Sequence, residues 1–262
     1  MSRLAASEPA SGPGSEPGSG PGSGPARVTV GQVTFHTATA DVAAARMREA
    51  LARGEGGRIV TLDTGQHRNV AVQPELRASI ADASLVLTTS SAVVLASRLI
   101  ATAERLPRRV TPLALTDAVC AACNADARRV FVIGGLPGRA GVPGGALRAT
   151  AILSLRHRGL RVAGNASPSD GFDRQLDALD ALVDELRQAK PDVVLIGLPL
   201  LAGTRLVTAL RAELPGSWFV ESTRLVAGIV GDGDPAPEGT ALQSARLIAG
   251  AVTARLTRLR AA

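Results

Sequence analysis

The sequence predicts an α/β fold in which a mostly parallel sheet is flanked by helices. Short apolar runs rich in Val, Ile and Leu recur along the chain, and longer helical patterns separate them. These runs do not alternate between apolar and polar residues, which is typical of strands buried on both faces of a parallel sheet. Strands that alternate with helices favour right-handed crossovers between parallel neighbours.

The composition fits a globular domain preceded by a tail. The chain has 262 residues, of which 45% are hydrophobic and 20% charged. Residues 1–26 are rich in Gly, Pro and Ser, so we expect a disordered tail followed by one domain over residues 27–262. We find no apolar segment typical of a signal peptide and no run of about 20 apolar residues typical of a membrane span.

Charge and cysteine content narrow the classes of function. The net charge of +6 permits anionic partners, but the arginines are scattered and aromatics make up only 2% of residues. These features argue against nucleic-acid binding, which uses basic stripes and aromatic stacking. Cys120 and Cys123 lie in an alanine-rich helical pattern, so we interpret them as small core residues rather than a redox pair or half of a zinc site. Two cysteines make no disulfide framework, which fits a reducing compartment.

In the first half of the chain, a strand or hairpin precedes the regular alternation of strands and helices. The expected elements are a strand or hairpin over residues 28–35, a helix capped by Asp41 that runs to about residue 53, a strand over 58–63, a helix to about residue 80, a strand over 84–87, a helix over 92–103, and the helix that holds the cysteines.

In the second half, the same alternation continues to a basic end. The expected elements are a strand from residue 130, a helix over 146–158, a strand over 160–164, an amphipathic helix over 172–189, a strand over 192–197, a helix to residue 214, a short strand over 218–220, a Gly- and Pro-rich loop over 228–239, and a basic helix over 240–262.

The strand from Val130 ends in the motif Gly134-Gly135-Leu136-Pro137-Gly138. A strand that stops at glycines lets a ligand approach the backbone, and the helix that follows offers N–H groups to an anion. The motif is neither G-x-G-x-x-G nor a Walker loop. An ordinary turn between strand and helix therefore remains an alternative to a phosphate or nucleotide-sugar pocket.

Polar or glycine-rich residues follow five of the predicted strands. In parallel sheets, ligands bind outside the carboxyl ends of the strands. The expected strand ends are Thr61 with Asp63, residues 88–91, residues 134–138, residues 164–171 and residues 197–199. We therefore expect a site where these ends meet.

The order of these pieces resembles the WecG/TagA/CpsF glycosyltransferases, glycosyltransferase family 26. The resemblance covers most of the chain from about residue 30. It is carried by the strand end at residues 60–63, the segment around 83–99, the motif at 130–138, Asp170-Gly171-Phe172 and the run at 191–198. It identifies the chain as a divergent member with a Rossmann-like sheet.

The resemblance implies transfer of a hexose-type sugar from a nucleotide donor, usually a UDP-sugar, to a lipid-linked acceptor in cell-envelope polysaccharide assembly. It implies that no metal or other cofactor is needed. It also implies that the C-terminal basic helix contacts an anionic membrane surface on the cytoplasmic side. The helix composition fits this contact, but it equally fits a surface helix of a soluble domain. The resemblance leaves open whether the protein forms a homo-oligomer.

The departures from the family pattern concern its polar motifs. Thr89 stands where the family has its catalytic Asp, and residues 201–204 replace its Pro-Lys-Gln-Glu. An inverting sugar transfer needs a base, and a Thr hydroxyl is not basic at neutral pH. Our hypothesis is that Asp63 supplies this carboxylate from the neighbouring strand end. The alternative is that Asp63 only caps the next helix.

The candidate site therefore has two catalytic positions, Asp63 and Thr89, and a set of substrate-binding positions. The latter are Thr61, Ser90, Arg98, Gly134, Gly135, Pro137, Gly138, Asp170, Gly171, Gly197 and Leu198. Arg98 or Arg139 would supply charge for the departing diphosphate. Asp232-Gly233-Asp234 resembles the Asp-x-Asp of metal-dependent sugar transferases, but Asp is also common in such Gly- and Pro-rich loops.

Three functions remain open. The first is an active glycosyltransferase. The second is an inactive family member that binds a nucleotide-sugar or a partner protein as a regulatory subunit, which the loss of the polar motifs favours. The third is a Rossmann-type nucleotide-binding protein unrelated to sugar transfer.

Overall fold

The computed structural model describes residues 24–100, 104–231 and 241–261. Most of the predicted N-terminal tail, together with Asp232-Gly233-Asp234, lies outside these residues. The strands of the described part are β1 (Arg27–Val30), β2 (Val33–His36), β3 (Gly57–Leu62), β4 (Leu85–Thr88), β5 (Arg129–Gly134), β6 (Arg161–Ala166), β7 (Val193–Gly197) and β8 (Trp218–Glu221).

Six strands form one sheet in the order β4-β3-β8-β7-β5-β6, and every neighbouring pair is parallel. The four central strands are almost entirely buried, which accounts for their continuous apolar runs. The predicted α/β class with a Rossmann-like parallel sheet is confirmed. β1 and β2 form a separate antiparallel hairpin, which is one of the two alternatives predicted for residues 28–35.

The helices flank the sheet. They are α1 (Ala40–Ala52), α2 (Thr64–Val72), α3 (Pro74–Ala81), α4 (Ser91–Ile100), α5 (Pro112–Ala125), α6 (Gly145–Arg156), α7 (Leu176–Ala189), α8 (Leu200–Glu213), α9 (Leu225–Val230) and α10 (Ala241–Ala261).

Three local predictions were wrong. Thr39, not Asp41, caps α1, because its side chain accepts the N–H of Val42. Pro74 divides the single helix predicted up to residue 80, since proline has no N–H and favours the first position of a new helix. The loop predicted from residue 228 instead contains the second half of α9.

The hairpin covers the edge of the sheet at β4. The N–H of Val86 in β4 donates to His36 Nδ1 in β2 at 2.9 Å, which satisfies a donor that an edge strand would otherwise leave unpaired. On the same side, α10 packs against α4 and buries Ala251. None of the described helices is long and apolar enough to cross a membrane.

A buried ion pair joins β3 to β8. The Arg58 guanidinium bonds Glu221 through Nε and, at 3.1 Å, through Nη2, and both residues are 3% exposed. Arg58 also donates to the carbonyl of Ser79 on α3 at 2.9 Å and to Thr204 Oγ1 on α8 at 3.0 Å. The guanidinium thus links two strands and two helices in the middle of the molecule.

Cys120 and Cys123 are buried in the core beneath α5 and form no disulfide. Burial raises the pKa of the Cys123 thiol to about 12 and that of Cys120 further still. Thiols that stay protonated are inert, so the interpretation of both as core residues is confirmed.

Candidate active site

The predicted strand ends meet at the carboxyl edge of the parallel sheet. Leu62 pairs with Thr88 across β3 and β4, and Gly134 pairs with Gly197 across β5 and β7. The end of β8 lies between these two pairs, because β8 is the neighbour of both β3 and β7. We call the ends of β3 and β4 the β3/β4 half, and the ends of β5, β6 and β7 the β5–β7 half.

An open cleft of about 510 Å³ lies at the β5–β7 half. Its size is within the range of small-ligand sites. Five predicted substrate-binding residues line it: Gly135, Asp170, Gly171, Gly197 and Leu198. The charged side chains of its lining are Asp170, Asp173, Arg174 and Arg205.

Helix α8 begins at this cleft. Pro199, the residue before α8, makes no side-chain cap, and Leu201 and Ala202 of the first turn line the cleft. The N–H groups of an uncapped first turn, together with the helix dipole, favour an anion. One turn further along α8, Arg205 adds a positive charge, and Asp173 fixes this guanidinium through a 2.7 Å hydrogen bond from Nη1.

The glycines at these strand ends are required by close packing of the backbone. A Cβ on Gly134 would lie 2.4 Å from the carbonyl oxygen of Gly197, and one on Gly135 would lie 2.8 Å from Cα of Gly145. A Cβ on Gly197 would lie 2.8 Å from a methyl group of Val226. Gly134 and Gly135 also have positive φ angles of 126° and 72°. Only glycine lets α6 and α9 approach the strand ends this closely.

Helix α6 was expected to offer its first N–H groups to an anion, but two of them are used within the protein. The N–H of Gly145 donates to the carbonyl of Leu136, and the N–H of Ala146 donates to Ser167 Oγ, both at 2.9 Å. The Ser167 hydroxyl in turn donates to the carbonyl of Gly134. The start of α8 therefore replaces the start of α6 as the better anion position.

In the β3/β4 half, Asp63 is the N-cap of α2. Its Oδ1 accepts the N–H of Gln66 at 2.8 Å, and Gln66 Oε1 accepts the N–H of Asp63 at 2.9 Å, which completes a capping box. Gln66 also bonds Thr223 beyond the end of β8. Asp63 therefore caps the following helix, and one of its carboxylate oxygens is committed to this cap.

The other polar residues of this half also bond to protein atoms. Thr61 is buried and its hydroxyl donates to the carbonyl of Glu221 at 3.3 Å. The hydroxyls of Thr64 and Ser90 bond each other at 2.6 Å. The N–H of Thr89 donates to the carbonyl of Leu62 at 3.0 Å, so Thr89 and Asp63 lie at adjacent strand ends, as the relocation hypothesis requires.

The remaining predicted residues lie outside the lining of the cleft. Pro137, Gly138 and Arg139 are exposed in the loop after β5. Arg98 Nη2 donates to the carbonyl of Pro107 at 3.1 Å, and Arg98 lines a hollow on α4 whose lining contains none of the predicted glycines. The structure therefore does not bring Arg98 to the cleft.

Sequence reasoning missed Arg174, Arg205 and the polar end of β8. The run Glu221-Ser222-Thr223 after a buried strand is the same signal that marked the other strand ends, and it could have indicated this position. Arg205 lies in the middle of an ordinary helical pattern, so no local signal set it apart.

Within residues 24–100, 104–231 and 241–261, no group of three His, Cys, Asp or Glu side chains could hold a metal ion.

A parallel sheet with a charged cleft at its carboxyl edge is the arrangement of nucleotide-binding α/β proteins. Residues 28–239 match the glycosyl transferase WecG/TagA/CpsF family. Because the match spans most of the chain, the protein belongs to this family of glycosyltransferases, which acts in cell-envelope polysaccharide biosynthesis. Comparison with curated proteins gave no match.

Proposed function

We propose that the protein transfers a hexose or N-acetylhexosamine-type sugar from a UDP donor to a lipid-diphosphate-linked acceptor. The observation that carries this proposal is the charged cleft beside the start of α8, in a chain that belongs to a glycosyltransferase family. The family supplies the reaction class, and the cleft supplies a place where a diphosphate can bind.

In this proposal, the first turn of α8 and the guanidinium groups of Arg174 and Arg205 bind the diphosphate of the donor. They replace the charge that the family's Pro-Lys-Gln-Glu segment would give. Positive charge and N–H donors at the leaving diphosphate stabilise the transition state more than the ground state. Gly135, Gly171, Gly197 and Leu198 shape the cleft, and Asp170 bonds sugar hydroxyls. No metal is required by these contacts.

The acceptor approaches from the β3/β4 half in this proposal. Asp63 lies at the strand end adjacent to the family's catalytic position, which Thr89 occupies, and acts as the base for the acceptor hydroxyl. Thr61, Ser90 and Gly134 hold the strand ends, while Pro137 and Gly138 form the rim. The exposed Arg255 and Leu256 of α10 support contact with the anionic inner face of the plasma membrane.

A second candidate is a catalytically inactive member that binds a nucleotide-sugar or a partner protein as a regulatory subunit. The observation that favours it is the capping box of Asp63, because a carboxylate that serves as an N-cap need not serve as a base. Both candidates place a nucleotide in the cleft, whereas only the first requires turnover.

Titration with UDP tests the binding step. We expect Arg205→Gln to raise the Kd for UDP about tenfold or more, because a charge-assisted hydrogen bond to phosphate is lost. Arg211→Gln is the matched control, since Arg211 lies on the same helix but pairs with Asp82. Equal UDP affinity in both variants and the unchanged protein would contradict the assignment of the cleft.

Turnover separates the two candidates. UDP release from a UDP-sugar should require a lipid-diphosphate acceptor if the protein is a transferase. Saturable UDP binding without release, across several UDP-sugars and acceptors, would support the regulatory subunit.

A further inference from the structure

A second, smaller cavity lies between the β1–β2 hairpin, α3 and the first half of β4. Its volume is about 190 Å³, and it is more enclosed than the cleft. We call it the hairpin cavity. Its polar lining includes Arg27, Thr34, His36 and Arg77, and none of these residues lines the cleft.

His36, a residue that is largely buried, gives this cavity a hydrogen-bond donor. The residue is only 6% exposed, and its Nδ1 accepts the N–H of Val86 at 2.9 Å. A neutral imidazole that accepts at Nδ1 carries its proton on Nε2. No residue in the described part of the chain accepts a hydrogen bond from this Nε2, which is not among the fully buried polar atoms and so reaches solvent.

The charge around this donor is positive. Arg27 and Arg77 line the hairpin cavity, and no Asp or Glu is among the described residues that line it. Burial lowers the pKa of His36, and the positive charge of Arg27 lowers it further. Arg77 is held in place, because its Nη1 bonds the side chain of Gln32 and the carbonyl of Ala71.

We propose that the hairpin cavity binds a tetrahedral oxyanion of the phosphate class, between the guanidinium groups of Arg27 and Arg77 and the Nε2–H of His36. Guanidinium groups match the geometry of phosphate oxygens and remain charged at all physiological pH values. The volume suits one phosphate group, but it is below the range of pockets that hold ligands as large as a nucleotide. The occupant is therefore free phosphate or a small phosphate monoester, and this inference does not depend on the proposed function.

Titration with inorganic phosphate at constant ionic strength tests the proposal, with calorimetry for the Kd and thermal unfolding as a second measure. We expect saturable binding, with the Kd raised about tenfold or more in Arg27→Gln and in Arg77→Gln. Arg158→Gln is the matched control, since this exposed arginine lies outside the hairpin cavity and should leave the Kd unchanged. If Arg77→Gln fails to fold, the exposed Arg27 still provides the test.

Two further measurements locate the bound phosphate. Phosphate binding in the cleft would weaken about tenfold or more in Arg205→Gln, whereas binding in the hairpin cavity should be unchanged there. The ¹⁵N and ¹H resonances of the His36 ring should shift on titration with phosphate. Unshifted resonances, or equal affinity in all the variants, would overturn the proposal. A parallel titration with glycerol 3-phosphate distinguishes the two occupants. A lower Kd for glycerol 3-phosphate than for inorganic phosphate identifies a phosphate monoester as the ligand, and the reverse order identifies free phosphate.

Discussion

The two halves of the carboxyl edge use their polar groups in opposite ways. In the β3/β4 half, Asp63 bonds the backbone of α2, and Thr64 and Ser90 bond each other. In the β5–β7 half, the uncapped start of α8 and Arg174 line the open cleft, and Arg205 lines it with one nitrogen, Nη1, bonded to Asp173. The first N–H groups of α8 can bind a ligand without first breaking a side-chain cap, so this half suits an anion, whereas the polar groups of the β3/β4 half stabilise the fold.

The largest expected effect tests whether Asp63 is a catalytic base or serves only as the N-cap of α2. Asn caps helices as well as Asp does, so Asp63→Asn keeps α2 intact and removes only the charge. If Asp63 is the base, the rate of UDP release should fall about 10²- to 10⁴-fold, with UDP affinity and thermal stability unchanged. Acceptor-dependent UDP release is the measurement, and Asp180→Asn, an exposed position on α7, is the control.

An unchanged rate in Asp63→Asn would reject the relocated base. Asp63→Ala then shows what the residue contributes to folding, since loss of an N-cap costs about 1 kcal/mol. Asp170, an exposed carboxylate in the lining of the cleft, would become the next candidate for the base.

The next effect concerns the strand that separates the two halves. Glu221→Ala leaves the Arg58 guanidinium buried without its counter-charge, and we expect a loss of about 3–5 kcal/mol in the free energy of unfolding. Denaturation with urea measures it. The double variant Arg58→Met with Glu221→Leu should recover most of this loss, because a buried pair replaced by apolar residues is often neutral.

The control for this prediction is Glu55→Ala, which removes an ion pair between exposed side chains, Arg53 and Glu55. We expect its denaturation midpoint to change little, because solvent screens such pairs. If the Glu221 variant behaves like this control, the pair does not hold β8 between the two halves.

The comparison between the halves also shows what the sequence could reveal. The parallel sheet could be predicted because a buried strand is a continuous apolar run that is visible within five or six residues, as in β5. The partner of Arg58 could not, since Glu221 lies 163 residues away and an arginine at the start of a strand looks solvent-exposed. Similarly, the glycines at the end of β5 were visible in the sequence. The close contacts with Gly145 and Gly197 that require glycine there depend on packing between distant segments, which the sequence does not show.

The smallest expected effect is a dependence of stability on pH that belongs to the β3/β4 side of the molecule. His36 and His67 are both buried there, and burial lowers the pKa of each, although His67 Nε2 bonds the carbonyl of Val30. When the pKa of a histidine is lower in the folded protein than in the unfolded chain, the unfolded chain binds the proton first as pH falls. Stability is therefore lost as pH drops through the unfolded value of about 6.5, by at most about 1.4 kcal/mol per pH unit for each histidine.

His67→Gln isolates this contribution, because a Gln amide can still donate to Val30 and does not titrate. Burial raises the pKa of Glu221 even though Arg58 opposes the shift, and a raised carboxyl pKa has the opposite sign: it favours the folded state as pH falls. The difference between the unchanged protein and His67→Gln cancels this term. Urea denaturation between pH 7.5 and 5.5 should show a shallower loss of stability in the variant. Parallel pH profiles would mean that His67 takes up its proton as readily in the folded protein as in the unfolded chain.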